Sequence, residues 1–223
     1  MKYYVALDIG NVLCKIDFRK FTFAVGAVTN LSSWEVGHRV NRSQKLRDVG
    51  LVTMTDVLES EFGIKSSVVL ENLLGVWNND VLKFDNRVFD FFTTLGESVH
   101  DNLNVALLSN VGLEHSLIID AYINSRYHDT YNSKLFVNAI RHYSCNLGVR
   151  KPQSLYYQSF LLDNAGFKGC VYLDDLKENL VASTKFGFVP VEFNLETLQD
   201  INAPLEAIKT LILDRDNTNS RWH

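Results

Sequence analysis

The chain has 223 residues, 46% hydrophobic and 12% aromatic. That is enough for one large domain, or one domain carrying a smaller insert, and it excludes a disordered chain. A formal net charge of -4 with no long basic run excludes a protein built to grip nucleic acid, whose phosphate backbone calls for a basic patch.

The first apolar run, 3–7, ends at Asp8. It is too short for the hydrophobic region of a signal peptide and reads as a strand buried on both faces. From 18 to 95 helical periods dominate, at 54–62, 66–77 and 86–95, with no convincing strand. Thr53 offers N-cap chemistry to the first of them. This stretch is expected to be a helical insert between the first strand and the rest of the sheet.

Further strands are expected at 105–108, 169–173 and 188–193, with another short one at 134–136, and helices at 113–125, 155–165 and 176–186. Pro152 stands upstream of the 155–165 helix and Gly187 follows the 176–186 helix, the usual start and stop residues. Alternating strands and helices imply an α/β fold, a doubly wound, mostly parallel, Rossmann-like sheet. The expected division is a core of 1–17 and 96–213, a helical cap of 18–95, and a polar tail of 214–223 that frays.

Cys14, Cys145 and Cys170 are widely spaced and form no CxxC or zinc pattern, so reduced thiols in a reducing compartment are expected. Cys14 reads as a small core hydrophobe rather than a nucleophile. No run approaches the about 18 apolar residues of a membrane-spanning helix. The chain is expected to be soluble and cytoplasmic, a monomer or homodimer, with no membrane or nucleic-acid partner.

Ligands of such sheets bind beyond the carboxyl ends of the strands. Those ends carry Asp8-Ile9-Gly10-Asn11, Ser109-Asn110 and Asp174-Asp175, and Arg150-Lys151-Pro152 precedes a helix. Crowded, buried carboxylates repel one another, and a hard divalent cation such as Mg2+ relieves that. With Lys151, such a cation neutralises a phosphate dianion. A carboxylate such as Asp8 is able to attack phosphorus, and Ser109 and neighbouring backbone N–H groups are able to donate to the phosphoryl oxygens.

The ordered set LDIGNVL, LLSN, GVRKP and YLDDLKEN resembles the four motifs of the haloacid dehalogenase (HAD) superfamily, over residues 3 to about 193. The first motif is similar to that of its helical-capped sugar-phosphate phosphatases. The resemblance implies an Mg2+-dependent phosphatase acting on a small phosphorylated metabolite, a sugar phosphate or nucleotide, through an aspartyl-phosphate. It assigns Asp8 as nucleophile and metal ligand, Gly10 as a carbonyl ligand, and Ser109 and Asn110 as phosphate binders. Lys151 becomes the motif-three lysine, catalytic and phosphate-binding, Asp174 and Asp175 the acidic metal-site pair with Asp175 the direct ligand, and Asn179 the asparagine that often follows.

One departure matters. Most HAD phosphatases carry an acid/base Asp where this chain has Gly10, and such a group is worth about 10²–10⁴ in rate. Asn11 is able to orient water but not to act as a base, and nothing in the sequence brings Asp17 to the site. Two alternatives follow: a metal-independent haloacid dehalogenase, or a catalytically weakened binding protein.

The remaining polar residues carry no motif. His38, His100, His115, His128, His142 and His223 are scattered without ligand spacing and read as surface or core residues. Trp34 and Trp77 read as packing within the cap. His38, Arg39, Arg42, Lys45 and Arg47 form a basic cluster, either a solvated helix face or a surface that meets an anionic substrate.

Overall fold

The computed structural model describes residues 2–127 and 134–214. His128, His223 and the tail after 214 lie outside the described residues. The elements run in chain order: β1 (Tyr3–Leu7), β2 (Cys14–Ile16), α1 (Arg19–Thr29), α2 (Ser33–Arg42), α3 (Gln44–Asp48), α4 (Met54–Phe62), α5 (Ser67–Asp80), β3 (Leu82–Phe84) and α6 (Asn86–Ser98). Then follow β4 (Leu103–Ser109), α7 (Leu113–Tyr127), β5 (Ile140–Tyr143), α8 (Ser144–Leu147), α9 (Ser154–Asp163), β6 (Val171–Asp174), α10 (Lys177–Thr184), β7 (Val189–Glu192) and α11 (Asn202–Asp214).

Five strands form one parallel sheet in the order β5-β4-β1-β6-β7. Leu7 lies level with Leu107 of β4 and Leu173 of β6, so Asp8, Ser109 and Asp174 emerge at the same edge. The chain builds outward from β1 through β4 to β5, then returns to the other side of β1 for β6 and β7. The order therefore reverses at β1, where open α/β sheets place their ligands.

Alternation sorts each strand between two apolar layers. Val5, Leu7, Val105, Leu107, Val171 and Leu173 face one cluster, which α6, α7 and α11 complete with Phe89, Phe92, Ile123 and Ile208. Ala6, Ala106, Leu108 and Tyr172 face the other, completed by Tyr156, Tyr157 and Phe160 of α9 and Leu180 of α10. Both faces are covered, which is why these strands read as continuous apolar runs.

A third cluster lies inside the insert, around Phe21, Val36, Val40, Met54, Leu58, Leu73 and Trp77. The Thr53 cap forms as expected: Thr53 Oγ1 accepts from Asp56 N at 3.1 Å, and the Asp56 carboxylate accepts from Thr53 N at 2.7 Å.

Three expectations change. The stretch 18–95 does contain a strand: β3 pairs antiparallel with β2, Cys14 opposite Phe84 and Ile16 opposite Leu82. Three residues are too few to show a period. The helix predicted at 86–95 packs its Val88, Phe89, Phe92 and Leu95 into the sheet-face cluster, so the apolar packing divides at the β2–β3 ribbon rather than at 95. The run at 134–136 is no strand. Phe136 is fully buried against Phe89, ring centroids 4.7 Å apart, in a turn closed by Asn138 N donating to Lys134 O at 2.8 Å, and the strand follows at β5. No helix among the described residues is long and apolar enough to cross a membrane.

Candidate active site

The loop after β1 is folded by its own backbone. Ile9 O accepts from Leu13 N at 2.9 Å and Cys14 N at 3.0 Å, and Asn11 N donates to Cys14 O at 2.7 Å. Asn11 adopts φ 53°, a left-handed conformation that asparagine tolerates better than most residues. Ile9, Val12 and Leu13 are buried beneath. Asp8 is thereby held at the strand tip, 6% exposed, its N–H on Leu173 O at 2.8 Å.

Lys151 is the centre of the cluster. It is 1% exposed, and its Nζ donates to Leu108 O at 2.7 Å, Tyr172 OH at 3.0 Å and Asp174 Oδ2 at 2.7 Å. It also stands 2.9 Å from Asp8 Oδ1, paired in charge but out of line for a hydrogen bond, so this buried oxygen has no aligned donor. Burial opposes the charge on Lys151, but Asp174 and Asp8 raise its pKa overall.

Asn110 holds the lysine's backbone: Lys151 N donates to Asn110 Oδ1 at 2.8 Å and Asn110 Nδ2 donates to Lys151 O at 2.9 Å. The Asn110 side chain expected on phosphate is therefore spent on positioning Lys151. The buried Ser109 makes no side-chain hydrogen bond among the described residues, which leaves its hydroxyl to a ligand.

The two acidic neighbours differ. Asp174 is fully buried and its oxygens are taken: by Lys151, by the Tyr172 hydroxyl, by Leu176 N at 2.8 Å, and by Asn179 Nδ2 at 3.0 and 3.1 Å. Asp175 is half-buried and accepts one side-chain bond, from Asn11 Nδ2 at 3.0 Å. Oxygens of Asp8, Asp174 and Asp175 lie within 4.8 Å of one another. Burial raises the Asp8 carboxyl to about 7, against the lowering effect of Lys151 and with Asp174 and Asp175 adding to the rise. Burial also raises that of Asp175, against the Asn11 bond. Such a pocket has more negative charge than Lys151 balances, and its oxygen donors suit a hard cation.

No protein-family model matches this sequence, and no curated protein matches it. Solved structures do. A HAD family enzyme, bt-2542, from Bacteroides thetaiotaomicron superposes with a TM-score of 0.69 at 18% identity, covering 86% of this chain and 93% of that one. The same enzyme in complex with magnesium and inorganic phosphate gives 0.67 at 16% identity, over 91% and 98%. An L-2-haloacid dehalogenase from Xanthobacter autotrophicus gives 0.53 at 17% identity, over 86% and 77%. The fold is that of the HAD enzymes.

On this HAD fold the four sequence motifs converge at one sheet edge, and the departure at Gly10 gains a physical form. A Cβ on Gly10 would come 2.9 Å from Ile16 Cδ1, so the methyl end of Ile16 occupies the space beside it. Asp17 offers no substitute. Its carboxylate is held by Arg19 at 2.7 and 2.9 Å, exposed, and Arg19 keeps its pKa far below the usual range.

Tyr172 is a site residue that the sequence did not disclose, because its position in an apolar run gave only its ring. Its hydroxyl joins Lys151 to Asp174. Asp48 is another: it reaches from α3 of the insert to Arg150 at 3.1 Å, next to Lys151. No motif links residues so far apart in the chain.

Proposed function

We propose that this chain is a HAD superfamily hydrolase, a Mg2+-dependent phosphatase of small phosphorylated metabolites working through an aspartyl-phosphate. One observation carries the reading: Asp174 is saturated by protein donors, while beside it Asp8 has only its ion pair with Lys151 and Asp175 only its bond from Asn11. This division gives Lys151 a fixed counter-ion and leaves two carboxylates for a cation. The magnesium and phosphate complex of bt-2542 supports it.

Asp8, Asp175 and the Gly10 carbonyl would hold Mg2+, which when bound supplies charge neutralisation for the phosphoryl oxygens. An Asp8 oxygen attacks phosphorus, the bond to the ester oxygen breaks, and the leaving alkoxide takes a proton from solvent. Water then attacks the phosphoryl group, releasing inorganic phosphate and regenerating the Asp8 carboxylate. Lys151 offsets the negative charge gathered around Asp8 throughout, and the Ser109 hydroxyl donates to a phosphoryl oxygen. Asn11, fixed by Asp175, is placed to orient the water.

A second reading has its own observation. Ile16 fills the space beside Gly10, and haloacid dehalogenases share this fold. In that reading Asp8 displaces halide from carbon without metal. A panel of phosphomonoesters and 2-haloacids, each with Mg2+ or with chelator, separates the two. Mg2+-dependent phosphate release that Asp8→Asn reduces by at least about 10³-fold is expected; metal-independent halide release would replace the first reading with the second. Gly10→Asp combined with Ile16→Ala should raise phosphate release by about 10²-fold if only the acid/base is missing.

A further inference from the structure

The five basic residues of the insert have different partners. Arg39 donates to Glu61 O at 2.8 Å, Arg42 pairs with the Glu61 carboxylate at 2.7 Å, His38 stacks on Trp34, and Lys45 is exposed. Arg47 is only 7% exposed. Its Nε donates to Ser43 Oγ at 3.2 Å and its Nη2 to Val40 O at 3.3 Å, both neutral acceptors. No carboxylate lies within 4.0 Å of its guanidinium among the described residues. The two carboxylates that attract it from beyond contact have partners of their own: Asp48 is paired with Arg150 at 3.1 Å, and Glu114 Oε1 accepts from Met54 N at 2.6 Å. A buried guanidinium with no anion in contact is costly, and a ligand anion would relieve that cost.

Its position favours a ligand. Arg47 packs on the loop after Ser109 and Asn110, where a Cβ on Gly112 would be 3.8 Å from Arg47 Cβ. The guanidinium carbon is 5.1 Å from the Trp77 ring centre. Trp77 stacks on Phe18, two residues beyond the Ile16 that abuts Gly10. Contacts thus run from Arg47 through Trp77 to Phe18, which lies close in sequence to the Ile16 beside the Asp8 loop. Trp77 Nε1 on this path is a buried donor with no acceptor.

We propose that Arg47, with the indole N–H of Trp77, binds a second anionic group on the organic part of the substrate. The substrate class is then a phosphomonoester whose leaving group carries a carboxylate or a further phosphate. A guanidinium presents a planar fork of donors that suits either group. Substrates without the second anion leave the Trp77 N–H unpaired and Arg47 with neutral acceptors only, and are selected against. This reading rests on the phosphatase assignment, and binding and turnover test the two separately.

The experiment measures the affinity of the Asp8→Asn protein, with Mg2+, for three compounds: ethyl phosphate, 2-phosphoglycolate and ethylene glycol bisphosphate. The expected result is affinity for one or both of the doubly anionic compounds about 10- to 100-fold above that for ethyl phosphate. Adding Arg47→Met should bring that ratio to about one, while Arg47→Lys keeps part of it. The compound that loses more on Arg47→Met identifies the second group. Melting temperatures report folding, and Arg47→Gln replaces Arg47→Met if the latter does not fold. A ratio near one in the parent, or a ratio that survives loss of Arg47, overturns the proposal. A preserved ratio in a protein whose intact-Asp8 form hydrolyses none of the three compounds supports the Arg47 site and sinks the phosphatase reading.

Discussion

The strand-tip pocket and the seam beneath the helical insert are both buried and both polar, yet they balance charge differently. At the strand tips one lysine meets two carboxylates, and almost every donor around Asp174 has an acceptor. At the seam, Arg47, Trp77 and His115 crowd together with neutral partners. The first arrangement stores its order in the protein alone. The second keeps a cation and an indole donor in reserve. On the proposed readings, the saturated Asp174 positions Lys151, and the unsatisfied Trp77 N–H meets a ligand.

The sharpest way to break this comparison lies within the acidic pair itself. Asp174→Asn removes one counter-ion of a fully buried lysine and should cost about 3–5 kcal/mol of stability. Asp175→Asn touches a half-buried residue with a single side-chain bond and should cost no more than about 0.5 kcal/mol. The Mg2+ response should run the other way. Added Mg2+ should raise the melting temperature of the wild type and of Asp174→Asn, but not that of Asp175→Asn. Denaturant titrations with and without Mg2+ check both halves. Equal stability losses in the two variants would show that saturation is no guide to role.

The seam carries the next largest effect, in acid. His115 stacks on Trp77 with ring centres 4.4 Å apart, and its Nε2 lies 3.2 Å from Trp77 O. Burial lowers its pKa from 6.5 to about 4, against the bond to Trp77 and with Arg47 adding to the fall. The unfolded chain therefore binds a proton near pH 6.5 that the folded chain refuses until near pH 4. This contribution to stability is complete above pH 6.5 and is lost as the pH falls to 4, by roughly 3 kcal/mol. His115→Gln should flatten that part of the stability–pH curve. An unchanged slope would mean that His115 protonates in place without strain.

Legibility followed the same division. Asp8, Ser109, Lys151 and the Asp174–Asp175 pair were readable because each closes a buried strand or opens a helix, where run, break and charge coincide in a few residues. The sheet was readable because strands covered on both faces are uninterrupted apolar runs. The β2–β3 ribbon was not, since three residues on each side show no period. α11 went unread, although its Leu205, Ile208 and Ile212 recur at helical spacing and pack beneath the sheet. Tyr172 hid a hydroxyl inside an apolar strand. Arg47 was seen only as one of five basic residues, because burial and missing partners are properties of packing rather than of spacing.

The smallest expected effect concerns Asp17, the acidic residue nearest to Asp8 in the chain. If it were the acid that Gly10 lacks, its removal would cost most of the turnover. Its geometry argues otherwise. Both of its oxygens are bonded to the exposed Arg19, and that partner keeps it ionised at any pH where the enzyme would work. An exposed ion pair of neighbours in sequence adds little to stability, since water competes for both charges. Asp17→Asn should therefore leave both the melting temperature and the rate of phosphate release where they were. A large fall in rate at unchanged stability would show that the β2–β3 ribbon moves during turnover and brings Asp17 to the substrate, making the ribbon a third region that neither saturation nor unsatisfied donors identified.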